Sequence, residues 1–218
     1  SFHALFPDED RRLFDAILGN DTGMLQTVLE GYADVNAVDL ATHCTPLSLA
    51  IMCGQEAIVQ MLLDANADIN IRKGWIPLHL AAENGHTGIV RSLLHVEVDT
   101  VFYPSWLDYK ETSVYGSLHR AAKNGHVDTI RVLIDAGADV DRCDNRKRTA
   151  LILAAKNNHT MAMRFLLDAG ASSSTHIDTE TPLHHATQHG NLACVRLLLD
   201  AKADVSGEAY IQDDPIDD

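Results

Sequence analysis

The sequence predicts an all-α solenoid: a one-dimensional stack of helix-turn-helix units with β-hairpin or loop fingers between them. Three observations lead there. A six-residue phrase recurs as Thr45-Pro46-Leu47-Ser48-Leu49-Ala50, Ile76-Pro77-Leu78-His79-Leu80-Ala81, Gly116-Ser117-Leu118-His119-Arg120-Ala121, Thr149-Ala150-Leu151-Ile152-Leu153-Ala154 and Thr181-Pro182-Leu183-His184-His185-Ala186. The residues in its proline slot stand 31, 40, 33 and 32 apart (77−46, 117−77, 150−117, 182−150). Each phrase is followed by a Gly or Asn, an apolar stretch, and then Ala-Asp-Val/Ile-Asn or a relative. One such unit cannot enclose a core, whereas stacked units can.

Taken in chain order, a degenerate first copy comes before these five. Its apolar set is Leu13, Ala16, Ile17, Met24, Leu25, Val28 and Leu29, and it ends in Ala33-Asp34-Val35-Asn36. In the full copies Thr before Pro reads as an N-cap followed by N1, where the hydroxyl takes an orphan amide and proline lacks nothing the helix needs. About two turns later stand Gly54, Gly85, Gly125 and Gly190, with Asn20 and Asn158 in the same slot of the first and fifth copies. These are the residue types that close a helix in a left-handed conformation. The second helix of each copy carries one apolar stripe, as in Ile58, Val59, Leu62, Leu63, or Ile89, Val90, Leu93, Leu94, or Cys194, Val195, Leu198, Leu199. The first helix offers Leu with small residues (Leu78, Ala81, Ala82; Leu118, Ala121, Ala122; Leu151, Ala154, Ala155), which lets neighbouring helices approach closely.

A period near 33 with a Thr-Pro-Leu-His signature resembles the ankyrin repeat. The resemblance covers roughly residues 8 to 206 and divides an expected single domain, 1–206, into about six units: 8–36, 37–70, 71–101, 109–141, 142–174 and 175–206. Residues 207–218 form an acidic tail. The resemblance implies a non-enzymatic scaffold that binds a partner protein through its fingers and the concave face of its first helices. The alternative is a regulatory or targeting segment of a larger enzyme, channel or secreted effector whose catalytic part lies outside these residues, because one scaffold serves many functions. The first copy, with Arg11, Arg12 and Asp15 on its opening helix, reads as a terminal cap; the last, with Leu192, Leu197, Leu198 and Leu199, does not. Something is therefore expected to cover that end: the Ala209-Tyr210-Ile211 segment, further repeats, or a partner.

The formal charge of −14 disfavours nonspecific binding to nucleic acid or an anionic membrane. No apolar run approaches the roughly 18 residues of a membrane span, and the chain opens without a signal-peptide pattern. It begins at Ser1 rather than Met, which reads as an excised piece. Cys44, Cys53, Cys143 and Cys194 fall in different copies without paired spacing and read as reduced thiols, Cys194 in a core slot. An intracellular, monomeric protein of cytoplasm or nucleus is the expectation, with no cofactor.

Departures from the repeat mark the candidate binding surface. The junction 98–115 is seven residues longer than the norm (40−33) and holds Phe102, Tyr103, Trp106, Tyr109 and Tyr115, with Trp75 one finger away. Trp and Tyr are enriched at interface hot spots; the competing reading is that these rings plug the irregular junction. A second departure is a basic finger, Arg142, Arg146, Lys147 and Arg148, relieved by Asp144. It reads either as a solvated loop tip or as a patch for an acidic partner segment with apolar anchors, which Lys123 and Lys156 extend along the concave face. By resemblance, contacts also come from the two positions before the helix-closing residue: Met52, Cys53, Glu83, Asn84, Lys123, Asn124, Lys156, Asn157, Gln188 and His189. The family further implies asparaginyl hydroxylation at Asn70, which has Leu62 eight residues before it; the competing reading is that Asn70 and Asn36 order their hairpins by hydrogen bonds.

The twelve histidines do not form a catalytic or metal pattern. His79, His119 and His184 fill the His of the signature, and His86, His126 and His159 the position after the helix-closing residue; the resemblance makes all six hydrogen-bonded scaffold groups. His185 and His189, four apart on one predicted helix, have a metal-compatible spacing that no Cys or carboxylate completes.

Overall fold

The computed structural model describes residues 8–31, 33–39, 42–69, 76–96, 116–174 and 181–203. The helices run in pairs: α1 (Asp8–Leu18) with α2 (Thr22–Glu30), α3 (Pro46–Met52) with α4 (Glu56–Asp64), and α5 (Pro77–Glu83) with α6 (Thr87–His95). Then follow α7 (116–124) with α8 (Val127–Asp135), α9 (Ala150–Lys156) with α10 (Thr160–Asp168), and α11 (Pro182–Gln188) with α12 (Leu192–Asp200). The first helices of successive pairs pack in one row, α1 on α3, α3 on α5, α9 on α11, and the second helices in another, from α2 through α4, α6, α8 and α10 to α12.

Capping chemistry sets the start of three inner helices, α3, α9 and α11. The hydroxyls of Thr45, Thr149 and Thr181 accept hydrogen bonds from the amides of Ser48, Ile152 and His184. His184 reciprocates, its Nδ1 accepting from the Thr181 amide at 3.2 Å, which makes a capping box with histidine in the place of Glu. Gly116 takes the Thr slot of the fourth copy because a Cβ there would fall 2.3 Å from His79 Nε2. The small residues lie where two rows must touch: Ala50, Ala81, Ala121, Ala154 and Ala186, each four positions after the proline slot, are all fully buried. The Leu/Ile stripe of the outer helices closes one continuous core with them. The first copy does present a polar exterior, with Arg11, Arg12 and Asp15 exposed.

The helix-closing slot combines two demands. Gly54, Gly85, Gly125 and Gly190 have φ between +66° and +75°, and Asn20 and Asn158 adopt the same left-handed conformation. In addition, a Cβ on Gly54, Gly85 or Gly125 would stand 2.7, 2.6 or 2.5 Å from the ring of His86, His126 or His159 in the next copy. Where the slot holds Asn instead of Gly, the next copy has an amide instead of a ring: Gln55 follows Asn20, and its Nε2 donates to the Ile17 carbonyl at 2.7 Å, while Asn191 donates to the Asn158 side chain.

The expected β-hairpin fingers are not formed: among the described residues there is no β-strand, and the fold is all-α with turn-based fingers. The finger around Asp144, whose residues are all described, is closed by a terminal backbone pair and a tight turn. Asp144 N–H donates to Arg148 O at 2.9 Å, and Lys147 N–H donates back to Asp144 O at 2.9 Å. Successive fingers are tied by side chain to backbone, not by a ladder: the Asp68 amide donates to Asn36 Oδ1 at 2.7 Å and the Ser172 amide to Asp141 Oδ1 at 2.8 Å. With its polar groups met by carboxylates and amides, the finger backbone has no second strand to pair with.

Candidate binding surface

The basic finger is built on Asp144. Its Oδ1 accepts from the amides of Arg146 and Arg148, both at 2.8 Å, and its Oδ2 from Nε and Nη2 of Arg148 at 2.9 and 2.6 Å. Burial alone would raise the Asp144 pKa; the bonds from Arg148 and from both amides outweigh it and hold the carboxyl below its ordinary value. Arg148, expected as part of the patch, is thereby engaged, and its carbonyl receives His119 Nε2 at 2.9 Å. Arg146 and Lys147 remain exposed at the tip, with Lys147 turned through φ +58°. The stem has the opposite charge. The Cys143 thiol is pushed up by partial burial and by Asp144, Asp141 and Asp139, against which Arg142 acts weakly.

On the concave row the two positions before each helix-closing residue serve different ends. Asn124 stitches copies, its Nδ2 donating to the carbonyls of Glu83 at 3.0 Å and Arg120 at 3.2 Å. Asn84 and Asn157 cap their own helices by donating to the Leu80 and Leu153 carbonyls. The Glu83 carboxylate is taken by Arg120. Lys123 and Lys156 are exposed, and no side-chain hydrogen bond or ion pair to either is found among the described residues. The part of Lys123 that is committed is its backbone, whose carbonyl accepts His159 Nε2 at 2.9 Å. Met52, Cys53, Gln188 and His189 are also exposed.

Lys123 and Lys156 thus stand exposed at equivalent helix ends, and Arg146 and Lys147 at the tip of the finger that joins their copies. Arg148, Glu83, Asn84, Asn124 and Asn157 each also hold a hydrogen bond within the scaffold. Trp75, Phe102, Tyr103, Trp106, Tyr109, Tyr115 and Asn70 lie outside the described residues, as does the Ala209-Tyr210-Ile211 segment. Sequence reasoning missed the organising role of Asp144. The signal was present in the four-residue spacing from Asp144 to Arg148.

Three of the described histidines tie their rings to backbone carbonyls elsewhere in the stack. His126 Nε2 donates to the Glu83 carbonyl at 3.0 Å, in parallel with the His159 and His119 bonds. His86 sits in the same slot, and burial, followed by the nearby His126, lowers its pKa against a smaller opposing effect of the Met52 backbone. His185 is buried, and His189 Nδ1 donates to its carbonyl at 2.8 Å, so the pair does not present two free ring nitrogens side by side. Among the described residues, no three His, Cys, Asp or Glu side chains are grouped to hold a metal ion, and no helix is long and apolar enough to cross a membrane. Cys194 is buried, and all four thiols are free.

Comparison with known proteins agrees with this geometry. A family model described as ankyrin repeats (3 copies) matches residues 13–102 and again 118–208. The tyrosine-protein kinase Shark of Drosophila melanogaster is 32% identical over 100 residues, 44% of this chain and 10% of the kinase. The nuclear factor NF-kappa-B p105 subunit of Gallus gallus is 30% identical over 197 residues, 86% of this chain and 20% of that protein. The chain therefore spans a tenth to a fifth of the length of these curated relatives. The crystal structure of the human ASB11 ankyrin repeat domain superposes with a TM-score of 0.77 over 89% of this chain and 85% of that one, at 24% identity, a likeness of fold. The chain belongs to the ankyrin-repeat family, whose stacked helix pairs are non-catalytic scaffolds for binding other proteins.

Proposed function

We propose that this domain binds an acidic segment of a partner protein across the concave side of its fourth and fifth copies, with Lys123, Lys156, Arg146 and Lys147 meeting its carboxylates. The observation that carries this reading is the selective pairing of charge. In a chain of net charge −14, Glu83 and Asp144 are each matched by an arginine, while these four cations of the fourth and fifth copies are each left exposed. Such a patch steers association and sets orientation more than it adds raw affinity. Its rigid support is the Asp144 turn on one side and the His159–Lys123 link on the other. The aromatic residues Trp75, Phe102, Tyr103, Trp106, Tyr109 and Tyr115 supply the apolar anchors in this proposal, and Asn70 remains a proposed hydroxylation site.

The test uses a fluorescent peptide of alternating Glu and Leu. Replacing Lys123, Lys156, Arg146 and Lys147 together with Ser should slow its association and flatten the salt dependence; an unchanged rate and salt slope would refute the patch. Trp106→Ala or Tyr103→Ala should weaken binding by about 2 kcal/mol where either ring is a hot spot, with the melting temperature held. A lower melt with unchanged affinity would make that ring a plug of the junction instead. A second reading, the regulatory or targeting segment of a larger enzyme, channel or secreted effector, is favoured by the match to one tenth of a tyrosine-protein kinase. Recovery of a catalytic domain on the same polypeptide would decide for it.

A further inference from the structure

Resting on the acidic-segment reading above, we infer that the concave face of the first two copies is an apolar seat for the same partner segment. The segment lies lengthwise along the inner helices, with its carboxylates on Lys123 and Lys156 and its apolar side chains on Leu18 and Met52. The position two before each helix-closing residue holds, in chain order, Leu18, Met52, Glu83, Lys123, Lys156 and Gln188. The helices that carry these residues follow one another in contact. α1 packs on α3, α3 on α5 and α9 on α11. Arg120 and Asn124 of α7 bond back to Glu83, and His159, just after α9, bonds to the Lys123 carbonyl. Equivalent positions on packed neighbours form one row, and along it the chemistry changes once. Leu18 is 64% and Met52 47% exposed. In the middle the Glu83 carboxylate is taken by Arg120, and beyond it Lys123, Lys156 and Gln188 are exposed.

One exposed apolar side chain on a protein surface needs no explanation, but two in register on adjacent helices, with apolar neighbours, form a surface. Phe14 stands four residues before Leu18 on α1 and Leu49 three before Met52 on α3, spacings that put each pair on one helix face. Both are only partly buried. In the fourth copy the counterparts of Leu49 and Met52 are Arg120 and Lys123, so the same surface turns from apolar to cationic within two steps of the row. Glu83 is the row's one carboxylate, and Arg120 neutralises the charge that would repel an acidic segment passing over it. Neighbouring helices stand about 9 Å apart, so the centres of the Leu18/Met52 and Lys123/Lys156 pairs, three steps apart, are separated by about 27 Å. That is the reach of about eight extended residues. The ligand that fits is a peptide with an apolar pair and a cluster of Asp or Glu held that far apart. A second copy of this chain is the poorer occupant, because two chains of net charge −14 repel.

The test uses a fluorescent Glu-rich peptide and a two-part version of it, joined through about eight Ser and Gly residues to a Leu-Leu pair at either end. The better two-part peptide should bind about tenfold more tightly than the Glu-rich one, because the second contact is intramolecular. Leu18→Ser with Met52→Ser should remove that gain while the Glu-rich peptide and the melting temperature are unchanged, and a spacer of about two residues should give no gain. A gain that survives the double replacement, or that ignores spacer length, overturns the inference. Lys123→Ser with Lys156→Ser should weaken both peptides. If it weakens neither, the acidic-segment reading itself fails; if that dependence is kept while Leu18 and Met52 do not matter, only the apolar seat fails. Should the double replacement lower the melt, the unsubstituted protein decides, because Cys53 follows Met52 directly and is exposed. A two-part peptide bearing an activated aromatic disulfide beside its Leu pair should form a mixed disulfide with Cys53, whose thiolate displaces the aromatic thiolate. It should do so about tenfold faster than a Glu-free Leu peptide carrying the same group, and equal rates count against the seat. A dimer of the free chain, seen by sedimentation and dissolved by the Leu18 and Met52 replacements, would assign the face to a second copy and overturn the inference.

Discussion

The stack is held in register by a residue in one copy touching a residue in the next, and the replacement of Gly125 by Ala measures that coupling. Two costs arise there. The left-handed backbone, φ +75°, disfavours any Cβ by about 1–2 kcal/mol. The new Cβ also falls 2.5 Å from Nδ1 and 2.7 Å from Cγ of His159, a ring whose Nε2 is bonded to the Lys123 carbonyl at 2.9 Å. Relieving the overlap moves the ring and breaks that bond, which adds about 1 kcal/mol net, plus lost packing. Gly190→Ala is the control, because it has nearly the same φ, +66°, and no described atom within 4 Å of the added carbon. In urea melts followed by circular dichroism, Gly190→Ala should cost about 1 kcal/mol and Gly125→Ala about 3 kcal/mol. The double replacement Gly125→Asn with His159→Asn rebuilds the Asn158–Asn191 pairing. It should therefore cost less than the sum of its single replacements, giving a favourable coupling of about 1 kcal/mol. Equal losses at Gly125 and Gly190, or strict additivity in the cycle, would show that only backbone conformation matters at this slot.

Acid should act in two stages. His86 has a folded pKa below its unfolded value, so the unfolded chain binds more protons and stability falls as pH drops below about 6.5. Asp144 is also depressed on folding, so its contribution, present above the ordinary carboxylate pKa, is lost only at lower pH, as the folded group titrates. Thermal melts against pH should show both stages, and His86→Asn should erase the first; a profile unaffected by that change would rule out His86 as its source. Lys202 closes α12 at φ +59°, so Lys202→Gly should raise stability by about 1 kcal/mol in chemical denaturation; a loss would mean the lysine side chain holds the turn. Asp144→Ala removes a negative charge from the finger yet also removes four of its hydrogen bonds. Binding of the Glu-Leu peptide should weaken, and tighter binding would show that net charge, not finger shape, governs recognition.

What was legible in the sequence was the chemistry confined to one turn or one helix. Thr181 before Pro182 had to cap, Gly85 had to turn left-handed, and Ala121 had to lie where helices meet; local sterics and a single hydrogen bond decide each. The hairpin expectation failed because the finger composition reveals a turn without revealing whether the flanking amides find strands or carboxylates, and here Asn36 and Asp141 take the amides of the neighbouring finger. The pairings inside the candidate surface were not legible for a related reason. Residue type alone does not show that Asp144, the Glu83 carbonyl and the Leu153 carbonyl engage Arg148, Asn124 and Asn157. Such pairings span four residues in one case and 41 in another, and only the superhelical stacking brings the distant ones together. The alternation of Gly-then-His with Asn-then-amide has the same origin. Each slot alone obeys a one-residue rule, and only their juxtaposition across copies shows that Gly125 is small because His159 is flat. A repeat array of this kind is specified by two nested codes: a local one that makes each helix pair, and an intercopy one that decides which pair can follow which.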